Sequence, residues 1–336
     1  MLAKQKIGTF AGKAVEEVVL ESDTGVRVAL INWGVVVRDW QVPVAGKPRH
    51  VVLGFDTFEP YPEHSPYFGA LVGRVANRIK DSHFVLDGKT YTLPPNEGPN
   101  HLHGGSEGLG RQVWDMETDS ASNTARFSLV SPDGAMGYPG TVRFEAIYRL
   151  KGSRLRLEMS GMPDRPTPIS LVQHQYFNLG ETDTVLDHLV HLPDAVARTV
   201  AGSDLIQTGA IVPVANTIDD FLNPRSMRFG AGRGIDYDIA YALKTRRNTA
   251  DPVAVVTGED DALTLKLYSD KPAVQFYNGV MTDVKTPGLA GRRYGKYSGF
   301  CLEDQMYPGA LHNPHFPNII CTPDKPYRHW CEIDIG

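Results

Sequence analysis

Asparagine, arginine and two histidines form the first cluster of side chains in the sequence that could do chemistry. Asn77 and Arg78 precede the segment 100–105, which has the sequence Asn-His-Leu-His-Gly-Gly. Residues two apart project to the same side of an extended segment, so His101 and His103 could together ligate a metal ion. No third ligand is evident nearby in the sequence. Histidines that cap backbone groups beside a Gly-Gly loop explain the pattern equally well.

The second cluster is a histidine at the end of an apolar run. His174 begins the segment 174–180, His-Gln-Tyr-Phe-Asn-Leu-Gly, shortly after the apolar residues 169–172. A histidine that enters such a strand is commonly a hydrogen-bonded core residue. His174 is an acid–base candidate only if its ring faces a cavity.

The third cluster contains a glutamate within a strand-like segment, residues 298–305. Alternation places Cys301 and Glu303 on one face of this strand, and Leu302 and Asp304 on the other. A carboxylate that shares a face with an apolar residue is costly to bury unless it is paired, hydrogen-bonded or used in chemistry. A buried salt bridge and a catalytic carboxylate both satisfy this condition.

Period-two alternation predicts the strands that must position these clusters. Residues 142–150 alternate between apolar and mostly charged side chains, and residues 155–159 alternate again after a Gly-Ser turn, which predicts an antiparallel hairpin. A second hairpin is predicted where Asp-Gly at residues 87–88 separates two short apolar runs, because type I′ turns require positive φ. Further strand-like runs are residues 26–37, 125–130, 263–267 and 273–277.

No segment keeps a helical period over several turns, so we predict an all-β protein, a large antiparallel β-sandwich with long loops. The loops include residues 131–140 and 283–296. Residues 244–257 resemble a sandwich loop more than a linker. We therefore expect residues 1–336 to form a single domain.

Composition limits the class of partner. The chain has 336 residues, a formal net charge of -5 and a sequence pI of about 6.1. Phosphate binding needs a basic surface, so nucleic acid is not expected as a partner. The 33 glycines and 24 prolines favour a fold with many turns.

Cysteine usage and the N-terminal sequence bear on the compartment. The three cysteines, at positions 301, 321 and 331, lack metal-ligand spacing and are expected to be buried free thiols. The first twenty residues contain no uninterrupted apolar stretch, so we expect neither a secretory signal nor a membrane span. A cytoplasmic protein is the expectation.

The three clusters occur in an order that resembles one known family. The sequence resembles the galactose mutarotase (aldose 1-epimerase) family in these motifs: Asn-Arg-Ile at 77–79 with Asn-His-Leu-His-Gly-Gly, then His-Gln-Tyr-Phe-Asn-Leu-Gly, then Leu-Glu-Asp-Gln before a Pro-rich loop. The resemblance extends from about residue 69 to residue 317, and several separate motifs agree in order and spacing. Supporting motifs lie at residues 73–79, 207–209, 234–236 and 274–277.

The resemblance implies a many-stranded antiparallel supersandwich with a monosaccharide substrate in an open cleft. The implied reaction interconverts the α and β anomers of a free sugar without a cofactor or metal. Glu303 resembles the general base and His174 the general acid. The residues that resemble sugar-binding groups are Asn77, Arg78, His103, Asp236 and Gln275. We expect a monomer or a homodimer.

Departures from the family pattern affect loops around the expected cleft, and therefore the substrate more than the chemistry. They are Pro-Gly at 308–309 in place of Pro-Asp, Leu109 after Gly108 in place of Phe, and Tyr237-Asp238 after Asp236 in place of His-Asn.

The sequence leaves three alternatives open. A phosphorylated or sulfonated sugar could meet the basic clusters at residues 244–247 and 292–293. A non-catalytic sugar-binding module would not need an acid–base pair. A two-carboxylate glycosidase could use Asp236 and Glu303, but it would leave His174 without a role.

Overall fold

The computed structural model describes residues 1–230 and 232–336, and these residues form 26 β-strands with little helix. The strands of the N-terminal half are β1 (Lys4–Phe10), β2 (Lys13–Glu21), β3 (Arg27–Ile31), β4 (Val36–Val44), β5 (Lys47–His50), β6 (Ala70–Val72), β7 (Arg78–Ile79), β8 (His83–Leu86), β9 (Lys89–Thr92), β10 (His101–Leu102), β11 (Asp115–Asp119), β12 (Thr124–Ser131), β13 (Val142–Lys151) and β14 (Arg154–Pro163).

The C-terminal half continues the same pattern. Its strands are β15 (Thr167–Pro168), β16 (Val172–His174), β17 (Leu189–His191), β18 (Ala195–Ala201), β19 (Gln207–Pro213), β20 (Asp238–Leu243), β21 (Ala254–Thr257), β22 (Thr264–Ser269), β23 (Ala273–Tyr277), β24 (Cys301–Gln305), β25 (Ile320–Cys321) and β26 (Tyr327–Ile335). The helical segments are α1 (Tyr61–His64) and short 3₁₀ turns at Lys80–Ser82, Leu109–Arg111, Ala135–Gly137 and Leu289–Gly291.

Both predicted hairpins are confirmed. Strands β13 and β14 pair antiparallel with Leu150 opposite Leu155, so the alternating apolar residues of both strands share one buried face. Strands β8 and β9 are joined by Asp87 and Gly88, whose φ values of 51° and 74° are those that a type I′ turn requires.

One predicted run is two strands. Residues 26–37 divide into β3 and the start of β4, because the chain turns at Gly34 and Val35 with φ values of 65° and 53°. A Cβ atom at Gly34 would lie 2.3 Å from the carbonyl oxygen of Gly110, so this close approach of two backbones requires glycine. The predicted loop 244–257 is also shorter than expected, since its last four residues form β21.

Three large sheets dominate the architecture. A five-stranded sheet has the order β1-β2-β3-β4-β5, an eight-stranded sheet has the order β11-β12-β13-β14-β26-β22-β21-β17, and a second five-stranded sheet has the order β19-β18-β20-β23-β24. Every paired strand is antiparallel to its neighbour. The all-β antiparallel fold predicted from the alternation is therefore confirmed.

The hydrophobic core lies between these sheets. One buried cluster includes residues from each of them, such as Trp40 of β4, Phe144 of β13, Leu157 of β14 and Phe276 of β23. Because one face of β23 and β24 packs on this core, the side chains of the opposite face, which point away from the core, are held in defined positions. No helix in the described part of the chain is long and apolar enough to cross a membrane.

Candidate active site

A cavity of about 160 Å³ opens where the second five-stranded sheet meets two short strand pairs. Strands β23 and β24 form one wall. Strand β16, paired with β6, and strand β7, paired with β10, supply further side chains. Six of the seven predicted site residues line this cavity: Asn77, Arg78, His103, His174, Gln275 and Glu303.

His174 and Glu303 face each other in the cavity. The Nε2 atom of His174 lies 3.6 Å from Oε1 of Glu303, and the two residues are only 5 % and 3 % exposed. His174 ends β16, while Glu303 is the central residue of β24. A buried carboxyl group and a buried imidazole thus flank one small space.

Two aromatic rings pack against the imidazole of His174. Tyr176 stacks on it at a centroid distance of 5.1 Å, and Tyr67 stacks at 5.9 Å. The Nδ1 atom of His174 lies 3.6 Å from the sulfur of Cys301, on the same strand face as Glu303. These contacts fix the ring so that Nε2 points towards the carboxylate.

His103 presents a hydrogen-bond donor to the cavity. Its Nδ1 atom accepts a hydrogen bond from the backbone N–H of Asn77 at 3.2 Å, so the proton of the neutral ring is on Nε2. The ring lies edge-on to His174, with centroids 5.2 Å apart. The backbone contact therefore decides which atom of His103 can contact a ligand.

Arg78 is anchored from two directions. Its backbone N–H donates to Oδ1 of Asn77 at 2.8 Å. Its guanidinium donates from Nε and Nη2 to the two carboxylate oxygens of Glu97, at 2.5 and 2.6 Å. This bidentate pair leaves Nη1 for a ligand.

Gln275 and Asp238 form a second polar pair on the sheet wall. The Nε2 atom of Gln275 donates to Oδ1 of Asp238 at 2.5 Å, and Gln275 lies opposite Glu303 in the register of β23 and β24. In the described part of the chain, Oε1 of Gln275 and Oε2 of Glu303 are buried without a hydrogen-bond partner. Buried acceptors without partners suit hydroxyl groups of a ligand.

Burial shifts the proton affinities of the two facing groups in opposite directions. Burial, with the negative charge of Asp238 second, raises the pKa of Glu303 well above its ordinary value of 4.5. Burial lowers the pKa of His174 from 6.5 to about 4. The usual preference of a proton for imidazole over carboxylate is therefore reversed in the cavity, which favours the neutral pair.

Two neighbouring groups are shifted by the same cause. Burial lowers the pKa of His103 well below 6.5, and the nearby His174 and Arg78 lower it further. Burial raises the pKa of Asp238, while Arg78 and the hydrogen bond from Gln275 act in the opposite direction. His103 is thus a neutral donor at physiological pH.

The structure does not bring Asp236 to the cavity. Its side chain is 56 % exposed, lies 3.0 Å from Nζ of Lys296 and accepts a hydrogen bond from the Tyr297 hydroxyl. Asp238, the first residue of β20, lines the cavity instead. The glycosidase alternative that paired Asp236 with Glu303 therefore lacks one of its two carboxylates in the cavity.

Sequence reasoning missed six polar or aromatic residues of the cavity wall: Tyr67, Glu97, Tyr176, Asp238, Tyr277 and Thr282. The sequence did carry a signal for Asp238. Residues 238–243 alternate as a strand, which places Asp238 on the same face as Ala240, and Ala240 pairs with Gln275. Glu97 lies in a loop and carried no comparable pattern.

The possible metal ligands lie elsewhere than the sequence suggested. His101 packs on Tyr138 and bonds the Pro94 carbonyl oxygen at 2.7 Å, away from His103. Ligand atoms of His174, Cys301 and Glu303 lie within 4.8 Å of one another, so this trio could bind a metal ion.

A second trio of potential ligands is Asp304, His329 and Cys331. There His329 bonds Asp304 directly at 2.6 Å, and the Ser269 hydroxyl donates to the same carboxylate. This arrangement forms a buried hydrogen-bonded network on the opposite side of β24 from Glu303.

The basic clusters that could have served an anionic sugar do not line the cavity. Lys244 pairs with Asp194 at 3.0 Å, and Arg247 donates to the carbonyl oxygens of Ser269 and Lys271. Arg292 donates to the carbonyl oxygen of Thr182.

A β-sandwich with a buried carboxylate and imidazole across a small polar cavity defines an acid–base enzyme for a small polyhydroxylated ligand. The family model described as aldose 1-epimerase matches residues 16–334. A galactose mutarotase from Rattus norvegicus is 39% identical over an alignment that covers 97% of this chain and 96% of that protein.

Two further comparisons agree. An aldose 1-epimerase from Escherichia coli K12 is 31% identical over 96% of both chains. The solved structure of an aldose epimerase homologue from C. elegans superposes with a TM-score of 0.90 at 27% identity, and covers 96% of this chain and 99% of that one. The chain belongs to the aldose 1-epimerase family, and its activity is the interconversion of the anomers of free aldoses.

Proposed function

We propose that Glu303 is the general base and His174 the general acid of this mutarotation, acting on a neutral hexose such as galactose. The observation that carries the proposal is the 3.6 Å approach of Nε2 of His174 to Oε1 of Glu303 inside the cavity. Galactose is favoured because relatives that share almost the full length of the chain are galactose mutarotases.

Ring opening requires two proton transfers. Glu303 takes the proton of the anomeric hydroxyl, and His174 delivers a proton to the ring oxygen as the bond from C1 to that oxygen breaks. Rotation about C1–C2 then exposes the other carbonyl face, and both transfers reverse to close the ring. General acid–base assistance of this kind contributes ~10²–10⁴-fold to a rate.

The cavity must hold one transferable proton for this cycle. Burial favours protonated Glu303 and neutral His174. Reactive Glu303 carboxylate and His174 imidazolium contain the same number of protons, so a bound sugar can shift one state to the other without exchange with water. Arg78 supports the carboxylate, because its positive charge lowers the pKa of Glu303.

The sugar hydroxyls are proposed to bind the polar groups around this pair. Arg78 offers Nη1, His103 offers its Nε2 proton, and Gln275 offers an unpaired carbonyl oxygen. Asn77 shapes this wall through its contacts with Arg78 and His103. Asp238 takes the place that the sequence assigned to Asp236, because Asp238 lines the cavity and bonds Gln275.

The experiment is the optical rotation, or the anomeric proton NMR signal, of freshly dissolved α-galactose and α-glucose with catalytic amounts of protein. We expect faster approach to an unchanged equilibrium. Glu303→Gln should lose this acceleration but still bind sugar, and His174→Asn should lower kcat more than it changes KM. Full activity in Glu303→Gln would reject the assignment of the base, and a change in KM alone would make His174 a binding residue.

We propose further that the chain acts as one domain, a monomer or homodimer, in the cytoplasm. One core cluster joins residues from Val18 to Ile335, and the three cysteines are free thiols, as a reducing compartment favours. Limited proteolysis tests the first point, light scattering the second and fractionation of cells the third.

A further inference from the structure

Glu97 occupies one edge of the Arg78 guanidinium at the cavity wall. Both residues line the cavity, and two hydrogen bonds of 2.5 and 2.6 Å join them. The Arg78 side chain is 8 % exposed, while that of Glu97 is 36 % exposed. The carboxylate thus lies on the solvent side of the arginine.

A tight loop holds Glu97 in this position. Its backbone exchanges hydrogen bonds with Asn100 in both directions, at 3.1 and 2.9 Å. The side chain of Asn96 closes the same loop by bonding the backbone of Leu102 at 2.7 and 3.0 Å. Asn100 in turn accepts from the backbone N–H of Asp81 at 3.1 Å, next to the strand that carries Arg78. The position of Glu97 is therefore set by the fold of its loop.

The positive charge of Arg78 on the cavity wall is paired with Glu97. In the described part of the chain, Arg78 is the one lysine or arginine that lines it, against the carboxyl groups of Glu97, Asp238 and Glu303. A negatively charged ligand would meet a neutralised arginine and further carboxyl groups.

We infer that Glu97 is a specificity-determining residue, which by pairing with Arg78 makes the cavity select neutral aldoses over aldoses that carry a carboxylate or a phosphate. The inference rests on the proposed function. A neutral hydroxyl needs only an N–H donor, which Nη1 of Arg78 still provides. Binding of an anion is favoured by net positive charge in the cavity wall. Without Glu97, the Arg78 guanidinium would bind a carboxylate or phosphate through two parallel hydrogen bonds.

The test compares Glu97→Gln with the wild type on two pairs of sugars, glucose against glucuronate and galactose against galacturonate. Each uronate is a free aldose with a carboxylate at C6, so the same anomeric exchange is measured by NMR. Glutamine keeps the shape of Glu97 and can still accept a hydrogen bond, but it removes the charge. Glu107→Gln is the matched control, because Glu107 is exposed on the following loop and outside this cavity.

We expect Glu97→Gln to raise the ratio of kcat/KM for uronate to that for the neutral sugar by about tenfold, the scale of one partly screened charge contact. Glu107→Gln should leave the ratio unchanged. Raising the ionic strength from about 0.02 to 0.5 M should shrink the difference between Glu97→Gln and wild type, because salt screens the interaction.

An unchanged ratio in a folded Glu97→Gln protein that turns over glucose would overturn the inference. If the variant does not fold, the wild type alone decides. Relative turnover of uronate should rise with salt, and a fall would show that the cavity attracts anions. If the wild type does not turn over neutral sugars at all, the proposed function is rejected instead.

Discussion

His174 and Glu303 come within 3.6 Å of each other although they belong to strands of different sheets. His174 ends a two-stranded pair with β6, and Glu303 lies at the edge of a five-stranded sheet. The short distance between these two side chains is thus a property of how the sheets pack. Local sequence around either residue does not determine it.

The pH dependence of turnover should have its acid limb well below the ordinary titration of histidine. Burial lowers the pKa of His174 to about 4, so the cavity gains a second proton only near that pH. We expect kcat/KM to stay constant from neutral pH to about pH 5 and to fall below it. A half-loss of kcat/KM near pH 6.5 would contradict this and would mean that His174 is more solvated than the structure has it.

Asp238 and Asp236 provide a matched pair of substitutions. Asp238→Asn removes a charge from the cavity and weakens the hydrogen bond from Gln275, so kcat/KM should fall by about tenfold or more. Asp236→Asn changes an exposed ion pair with Lys296 and should leave kcat/KM within about twofold. Steady-state kinetics on galactose measures both. The reverse ranking would restore Asp236 as the binding residue.

Glu303→Gln should stabilise the protein above acidic pH. The pKa of Glu303 is higher in the folded protein than its ordinary value of 4.5. Between those values the folded state binds more protons than the unfolded state, so the free energy of unfolding falls as pH rises. Glutamine does not ionise, so its Tm should exceed that of the wild type at pH 8 by on the order of a few degrees.

At pH 4 that gain in Tm should disappear, because the carboxyl group is then protonated in both states. Thermal unfolding followed by circular dichroism at the two pH values is the measurement. Glu63→Gln, at an exposed position in α1, is the control and should show no such dependence on pH. Equal gains for Glu303→Gln at pH 4 and pH 8 would exclude a titration effect.

The Cys301 thiol should be inert in the folded protein despite its place beside His174. It is fully buried, and burial raises its pKa well above the ordinary value. We expect no labelling of Cys301 by iodoacetamide at pH 8 under native conditions, and rapid labelling after unfolding in guanidinium. Mass spectrometry of the digested protein identifies the labelled site, and native labelling would show that the cavity wall opens around β24.

The sequence predicted local features well because they depend on local rules. The Asp-Gly turn at residues 87–88 and the alternation of residues 142–159 gave the correct hairpins. The shared face of Cys301 and Glu303 followed from strand geometry in the same way.

Features that depend on where a strand begins or on a loop fold were harder to predict. Asp236 and Asp238 are two residues apart, so strand alternation would place both on the same face. Strand β20 begins at Asp238, and for this reason Asp238 faces the cavity while Asp236 is exposed to solvent. The bond between Arg78 and Glu97 arises from the closed loop at residues 96–100, which no periodic pattern marks. Packing between sheets decided which of the candidate residues meet.

The burial of Glu303 and His174 has a consequence for the kinetics of the whole cycle. In the proposed mechanism, the anomeric hydroxyl gives its proton to one of these buried side chains and the ring oxygen receives a proton from the other. No step of that mechanism takes a proton from the buffer, so we expect a rate that does not change with buffer concentration. Each turnover ends with the two residues in protonation states from which the opposite anomer can be processed, so one cavity operates equally in both directions.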